Sequence, residues 1–136
     1  MPGTVRAAAA TWAFFEVMPS RSLATVLVVE RDPPVVRLVR EILSRAGYAV
    51  LSARSVERAL RLYELQRNGI DLLLIDGLPS EVEQLAGKHP ELKVLCLSGL
   101  AGAEWAGDMP VLRKPFTPAA LVKAIRSLLG ERAAGA

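Results

Sequence analysis

The feature that most constrains this chain is a repeated change of rhythm. From residue 24 onward, short apolar runs alternate with stretches whose apolar residues recur every three or four positions, the pattern of a parallel sheet joined by crossover helices. "ATVLVV" predicts the first strand. Asp32 follows as a helix cap, Pro33 and Pro34 suit a first turn, and Val35, Val36, Leu38, Val39, Ile42, Leu43 and Ala46 hold helical spacing until Gly47. "YAVLSA" predicts the second strand, after which Ser55 caps a helix that turns Val56, Ala59, Leu60 and Tyr63 inward and ends at Asn68-Gly69. "DLLLID", "KVLCLS" and a brief "VLRK" supply three more strands. The connection "GLPSEVEQLAGKHPEL" leaves room for about two or three helical turns. The next holds Gly99, Gly102 and Gly107, each costing about 1 kcal/mol against alanine inside a helix. The third helix should therefore be short, and the fourth short or absent. "FTPAALVKAIRSLLG" closes the chain as an amphipathic helix with Thr117 as cap, Pro118 at its first position and Gly130 at its end.

With 136 residues, 51% of them hydrophobic, the chain can build one compact core but not two ordinary domains. A single cysteine, Cys96, rules out an intramolecular disulfide, and one histidine, His89, leaves no set for a zinc cluster. Cys96 reads as a core residue on a strand, His89 as a solvated loop residue, and the protein as cytoplasmic. Net charge is +3 and the pI near 9.4. Arg37, Arg40, Arg45, Arg54, Arg58, Arg61 and Arg67 are spread along two helical patterns, the usual sign of solvated faces. Aromatic residues make up 5% of the chain and do not interleave with them, so no nucleic-acid partner is expected.

Residues 1–22 carry an apolar stretch at 7–15 that ends at Glu16. It is too short for a membrane span, which needs about 18 apolar residues or more. No membrane partner is expected. Residues 1–22 read as a poorly ordered extension, 23–130 as one domain and 131–136 as a disordered tail.

Strands alternating with helices imply an open, doubly wound α/β sheet, and such sheets bind ligands beyond the carboxyl ends of their strands. That selects Glu30-Arg31-Asp32, Asp76, Ser98 and Lys114-Pro115. Read together as "VVERDP", "LLLID", "CLSG" and "LRKPFTP", these four places resemble the receiver domain of two-component response regulators, over residues 24–130. The resemblance implies a flavodoxin-like five-stranded sheet in the order 2-1-3-4-5. It implies that Asp76 is the phosphoacceptor, taking a phosphoryl group from a kinase histidine or a small phosphodonor. Glu30, Asp76 and the backbone carbonyl of Leu78 would hold Mg²⁺, a hard cation that takes oxygen ligands. Lys114 and Ser98 would engage the phosphoryl oxygens. The Lys114-Pro115 bond would be cis, aiming the lysine.

The departures from the family matter equally. Arg31 stands where the family has its direct acidic metal ligand. The formal charges of Glu30, Arg31, Asp76 and Lys114 cancel, and a unit charge pair near 4 Å is worth about 4 kcal/mol at an effective dielectric of about 20. Since a site binding Mg²⁺ at about 1 mM holds it by only about 4 kcal/mol, an inward Arg31 should impair or abolish metal binding. Its guanidinium would then pair with Asp76. The alternative is an Arg31 that snorkels to solvent, with Asp32 as substitute ligand. "DGLP" puts proline at the third position after the acceptor rather than the fourth, and Val111 replaces a switching aromatic.

Two functions follow. One is a stand-alone receiver in a phosphorelay, not an enzyme, whose partner is a sensor histidine kinase or phosphotransfer protein. The other is a phosphorylation-independent pseudo-receiver that binds a kinase or another regulator, with homodimerisation open. A flavodoxin-like small-molecule binder is disfavoured, because Pro33-Pro34 stand where a glycine-rich phosphate loop would.

Overall fold

A computed structural model of the chain describes residues 24–66, 69–77, 79–98 and 109–131. The elements run β1 (Thr25–Val29), α1 (Pro33–Arg45), β2 (Ala49–Ala53), α2 (Val56–Leu65), β3 (Leu72–Ile75), α3 (Pro79–Lys88), β4 (Lys93–Ser98), β5 (Val111–Arg113) and α4 (Pro118–Leu129). All strand pairs are parallel, in the order 2-1-3-4-5. This is the flavodoxin-like sheet the sequence implied.

The three central strands are buried on both faces, and that is why their sequences are nearly continuous Val and Leu. Alternate side chains point to opposite sides. Leu27, Val29, Leu73, Ile75 and Cys96 meet Tyr63, Val82 and Leu85 from α2 and α3. Val26, Val28, Leu72, Leu74 and Leu95 meet Val39, Leu43, Leu121 and Ile125 from α1 and α4. Among the described residues, one pair of helices covers each face. Burial pushes the Cys96 thiol up to about 12, so this cysteine is a small core residue.

Helix ends follow the sequence at most points. Ser55 Oγ accepts the Arg58 N–H at 3.1 Å and Thr117 Oγ1 the Ala120 N–H at 3.0 Å. Gly130 ends α4 in the left-handed region at φ 73, which glycine adopts without Cβ strain. Three readings need correction. Asp32 occupies the N-cap position of α1, but its side chain makes no capping hydrogen bond. The second helix stops at Leu65, short of Asn68-Gly69, and Leu65 is 81% exposed. Leu38, read as part of the apolar face of the first helix, is 59% exposed.

α3 spans ten residues, as does α2. The connection with Gly99, Gly102 and Gly107, read as holding a short fourth helix or none, lies outside the described residues, as do residues 1–23 and 132–136. Glu131, placed in the tail by sequence, is held by the fold: its Oε1 accepts the Tyr48 hydroxyl at 2.7 Å. Burial, with the Glu131 carboxylate, pushes that phenol up to about 12. No helix among the described residues is long and apolar enough to cross a membrane.

Candidate functional site

Parallel register brings several strand ends to one edge of the sheet. Val29 lies beside Ile75, Ile75 beside Cys96, and Ser98 beside Arg113. Glu30 and Asp76 are therefore the first residues beyond two neighbouring strands. Their backbones extend the ladder by one step: the Glu30 N–H donates to Ala53 O and the Asp76 N–H to Val29 O, both at 3.1 Å.

The Lys114 ammonium donates to Asp76 Oδ2, and the two side chains are 31% and 29% exposed. Lys114 is aimed by its own backbone, whose N–H donates to Ser98 O at 2.8 Å. The Lys114-Pro115 peptide is cis, and Ser98 is buried. Glu30, Asp76, Ser98 and Lys114 thus gather at one edge. Leu78, the proposed carbonyl ligand, lies outside the described residues.

Glu30 is the least comfortable member of the group. Its Oε2 accepts the backbone N–H groups of Arg31 and Asp32, both at 3.0 Å, while its buried Oε1 has no hydrogen-bond partner among the described residues. Burial holds its carboxyl above the usual carboxylate range. The Asp32 N–H opposes that rise, the facing Asp76 carboxylate adds to it, and the Lys114 ammonium opposes it. The described residues contain no group of three or more His, Cys, Asp or Glu suited to a metal ion. Two carboxylates, one with an orphaned buried oxygen, nevertheless fit Mg²⁺, which keeps several waters and takes one or two carboxylates from protein.

A raised folded-state value carries a signed consequence. The folded chain binds the Glu30 proton more tightly than the unfolded chain does. That stabilisation is fully present below the ordinary carboxylate pKa and is lost as pH rises through the raised value. Glutamine keeps an oxygen for the two N–H groups and offers an N–H toward Asp76. Glu30→Gln should therefore melt higher than the wild type at pH 7, by less than about 1 kcal/mol because solvent screens this partly exposed group, and the gap should close below about pH 4. Thermal melts across that range check it, and a gap that ignores pH would disprove the account.

Arg31 does not enter the site. Its side chain is 76% exposed and its Nη2 lies 4.0 Å from Glu81 Oε2, while Asp76 is bonded to Lys114 instead. Glu81 is the residue that sequence reading missed. It lies in the first turn of α3, where the helix dipole favours a carboxylate. It folds back over Gly77, where an added Cβ would stand 2.8 Å from Glu81 Oε1. The signal available was an acid five residues beyond Asp76, just inside a helix start.

His89 also departs from its reading. It is 7% exposed, with Nε2 3.3 Å from Glu64 Oε2 and Nδ1 3.5 Å from Glu91 Oε2. Its ring meets Tyr63 edge-on at 4.8 Å.

No family model matches the chain. It is 32% identical over 120 residues to the sensor kinase CckA of Brucella abortus (strain 2308), covering 78% of this chain and 12% of that protein. It is 29% identical over 116 residues to the probable transcriptional regulator ycf27 of Cyanophora paradoxa, covering 76% of this chain and 47% of that one. The chain thus spans less than half the length of these curated relatives. Among solved structures, a response regulator receiver domain protein from Clostridium thermocellum superposes with a TM-score of 0.71 at 25% identity, over 79% of this chain and 94% of that one. Glu30, Asp76, Ser98 and Lys114 lie at the carboxyl edge of this sheet, and the chain has the fold and the sequence likeness of a response regulator receiver domain.

Proposed function

We propose that the chain is a phosphoacceptor module of a two-component phosphorelay, with Asp76 as the residue modified. The observation that carries this reading is the Asp76 carboxylate, held at the end of β3 by the Lys114 ammonium and faced by Glu30. An Asp76 oxygen attacks the phosphorus of a phosphohistidine or a small acyl phosphate. The new O–P bond makes an acyl phosphate on Asp76 while the donor's N–P or O–P bond breaks, and the donor leaves with that bond's electron pair. Lys114 pairs with the phosphoryl oxygens and the Ser98 hydroxyl hydrogen-bonds to one of them. Glu30, Asp76 and the Leu78 carbonyl would hold Mg²⁺, which when bound supplies positive charge against those oxygens. Arg31, exposed at the mouth, weakens that binding through its charge. The partner is a sensor histidine kinase or a phosphotransfer protein. The phosphorylation-independent reading leaned on Arg31 and Val111, and the contact of Arg31 with Glu81 rather than Asp76 removes the first of those supports.

Incubation with acetyl phosphate and MgCl₂, followed by intact mass, tests the reading. The wild type should gain the mass of a single phosphoryl group, labile to hydroxylamine, and Asp76→Asn should gain none. An unmodified wild type, or equal uptake by Asp76→Asn, would refute it.

A further inference from the structure

Arginines that the sequence spreads along two helices converge in the fold. β2 is an edge strand, and two adjoining clefts that share Ser52, Ala53 and Arg54 lie at its carboxyl end. The larger, about 360 Å³, runs past Arg58 and Arg61 to Leu62 and Leu65. The smaller, about 250 Å³, opens between Arg31 and Arg37 over Pro33 and Val36.

All five of these arginines are exposed. Arg31 has its 4.0 Å contact with Glu81; Arg37, Arg54, Arg58 and Arg61 make no ion pair among the described residues. The only acid among the described residues lining either cleft is Glu30, and one of its oxygens is committed to backbone N–H groups. The result is an unneutralised cationic rim. Beneath it lies an apolar floor that includes Leu65, the most exposed large hydrophobic residue among those described.

Rim and floor together define the ligand. Guanidinium forks match carboxylates in a bidentate geometry that a point charge does not, and exposed leucine gains by burial under an aliphatic side chain. No aromatic residue lines either cleft, so the stacking platform of a single-stranded nucleic-acid site is missing. Strand addition to the β2 edge is also blocked, because Arg40 donates to Val50 O and to Ser52 Oγ, both at 3.1 Å.

We propose that this double cleft docks an acidic protein segment bearing an aliphatic side chain. That side chain sits on Leu62 and Leu65, and the segment's carboxylates engage Arg54, Arg58 and Arg61. The residues that hold the segment line the larger cleft, which includes neither Glu30 nor Asp76, and the proposal stands whether or not Asp76 is phosphorylated.

Fluorescence anisotropy on the full chain tests it, with a labelled peptide of repeated Asp-Leu-Glu. The comparison probes are the same peptide with serine for leucine and an oligothymidylate of equal charge. Binding of the leucine peptide should weaken by about tenfold or more in Arg58→Glu/Arg61→Glu and by several-fold in Leu65→Ser, with the serine peptide weak on every form. These positions are exposed, so circular dichroism should report folded variants. Absence of binding by the wild type, unchanged binding by the variants, or oligothymidylate binding as tight as the peptide would overturn the proposal; the last would make the clefts a general polyanion surface.

Discussion

Arg31→Asp is expected to tighten Mg²⁺ binding by roughly ten- to a hundredfold. The change removes one positive charge and adds one negative charge at the mouth of a site whose two carboxylates face each other. At a contact distance of about 4 Å in water, each unit of charge change is worth about 2 kcal/mol against a divalent ion. Greater separation and salt reduce that figure, so two units of change give one to two decades rather than more. Because the Arg31 side chain is 76% exposed, the wild type should retain weak binding instead of losing it outright. An aspartate also brings an oxygen to the place where the family has its direct metal ligand. Calorimetric Mg²⁺ titration at low ionic strength checks the expectation, with Arg37→Asp as the comparison. Arg37 is likewise exposed and lines the same cleft as Arg31. Equal tightening in both variants would assign the effect to the general field of the protein, and no tightening in Arg31→Asp would show that this arginine does not govern the site.

What the sequence made legible, and what it hid, divides along a physical line. The strands were legible because burial on both faces writes itself as an unbroken apolar run, as in "LLLI" of β3. The site was legible for a related reason: Asp76 directly follows such a run, Lys114 follows the short strand β5, and parallel register carries the strand ends to one edge. Side-chain direction was not legible. Arg31 was weighed as a partner for Asp76, but its long side chain turns to Glu81 on α3, a residue brought near only by the crossover. Asp32 stands at a cap position, yet the Val35 and Val36 N–H groups donate to its backbone carbonyl, both at 3.0 Å, and its side chain makes no capping hydrogen bond. The clustering of Arg37 with Arg54, Arg58 and Arg61 was hidden by the same cause, since periodicity reports the face a residue occupies on its own helix and not what the neighbouring helix presents.

His89 is the largest such miss, and its replacement should be correspondingly costly. A histidine before proline in a polar connection, "GKHPEL", has the composition of a solvated loop. In the fold its side chain is 8% exposed and lies between two carboxylates, against the edge of Tyr63. Tyr63 in turn donates its hydroxyl to Glu91 at 2.7 Å. The ring therefore ties the end of α2, through Tyr63 and Glu64, to the turn between α3 and β4. His89→Ala removes the aromatic contact, opens a void beside Tyr63 and takes a partner from each glutamate. Aromatic pairs of this kind contribute about 0.5–1.5 kcal/mol beyond area burial, and truncation of a buried ring adds a cavity cost. The two glutamates are half exposed, so solvent replaces part of what they lose. The expected destabilisation is about 2–3 kcal/mol, read as a lower urea midpoint with an unchanged slope. His89→Phe, which keeps the ring and discards both nitrogens, separates the two contributions. If packing dominates, it should recover more than half of the loss; if the carboxylate contacts dominate, it should unfold as readily as the alanine variant. An alanine variant as stable as the wild type would mean that this cluster fills space without holding α2 in place.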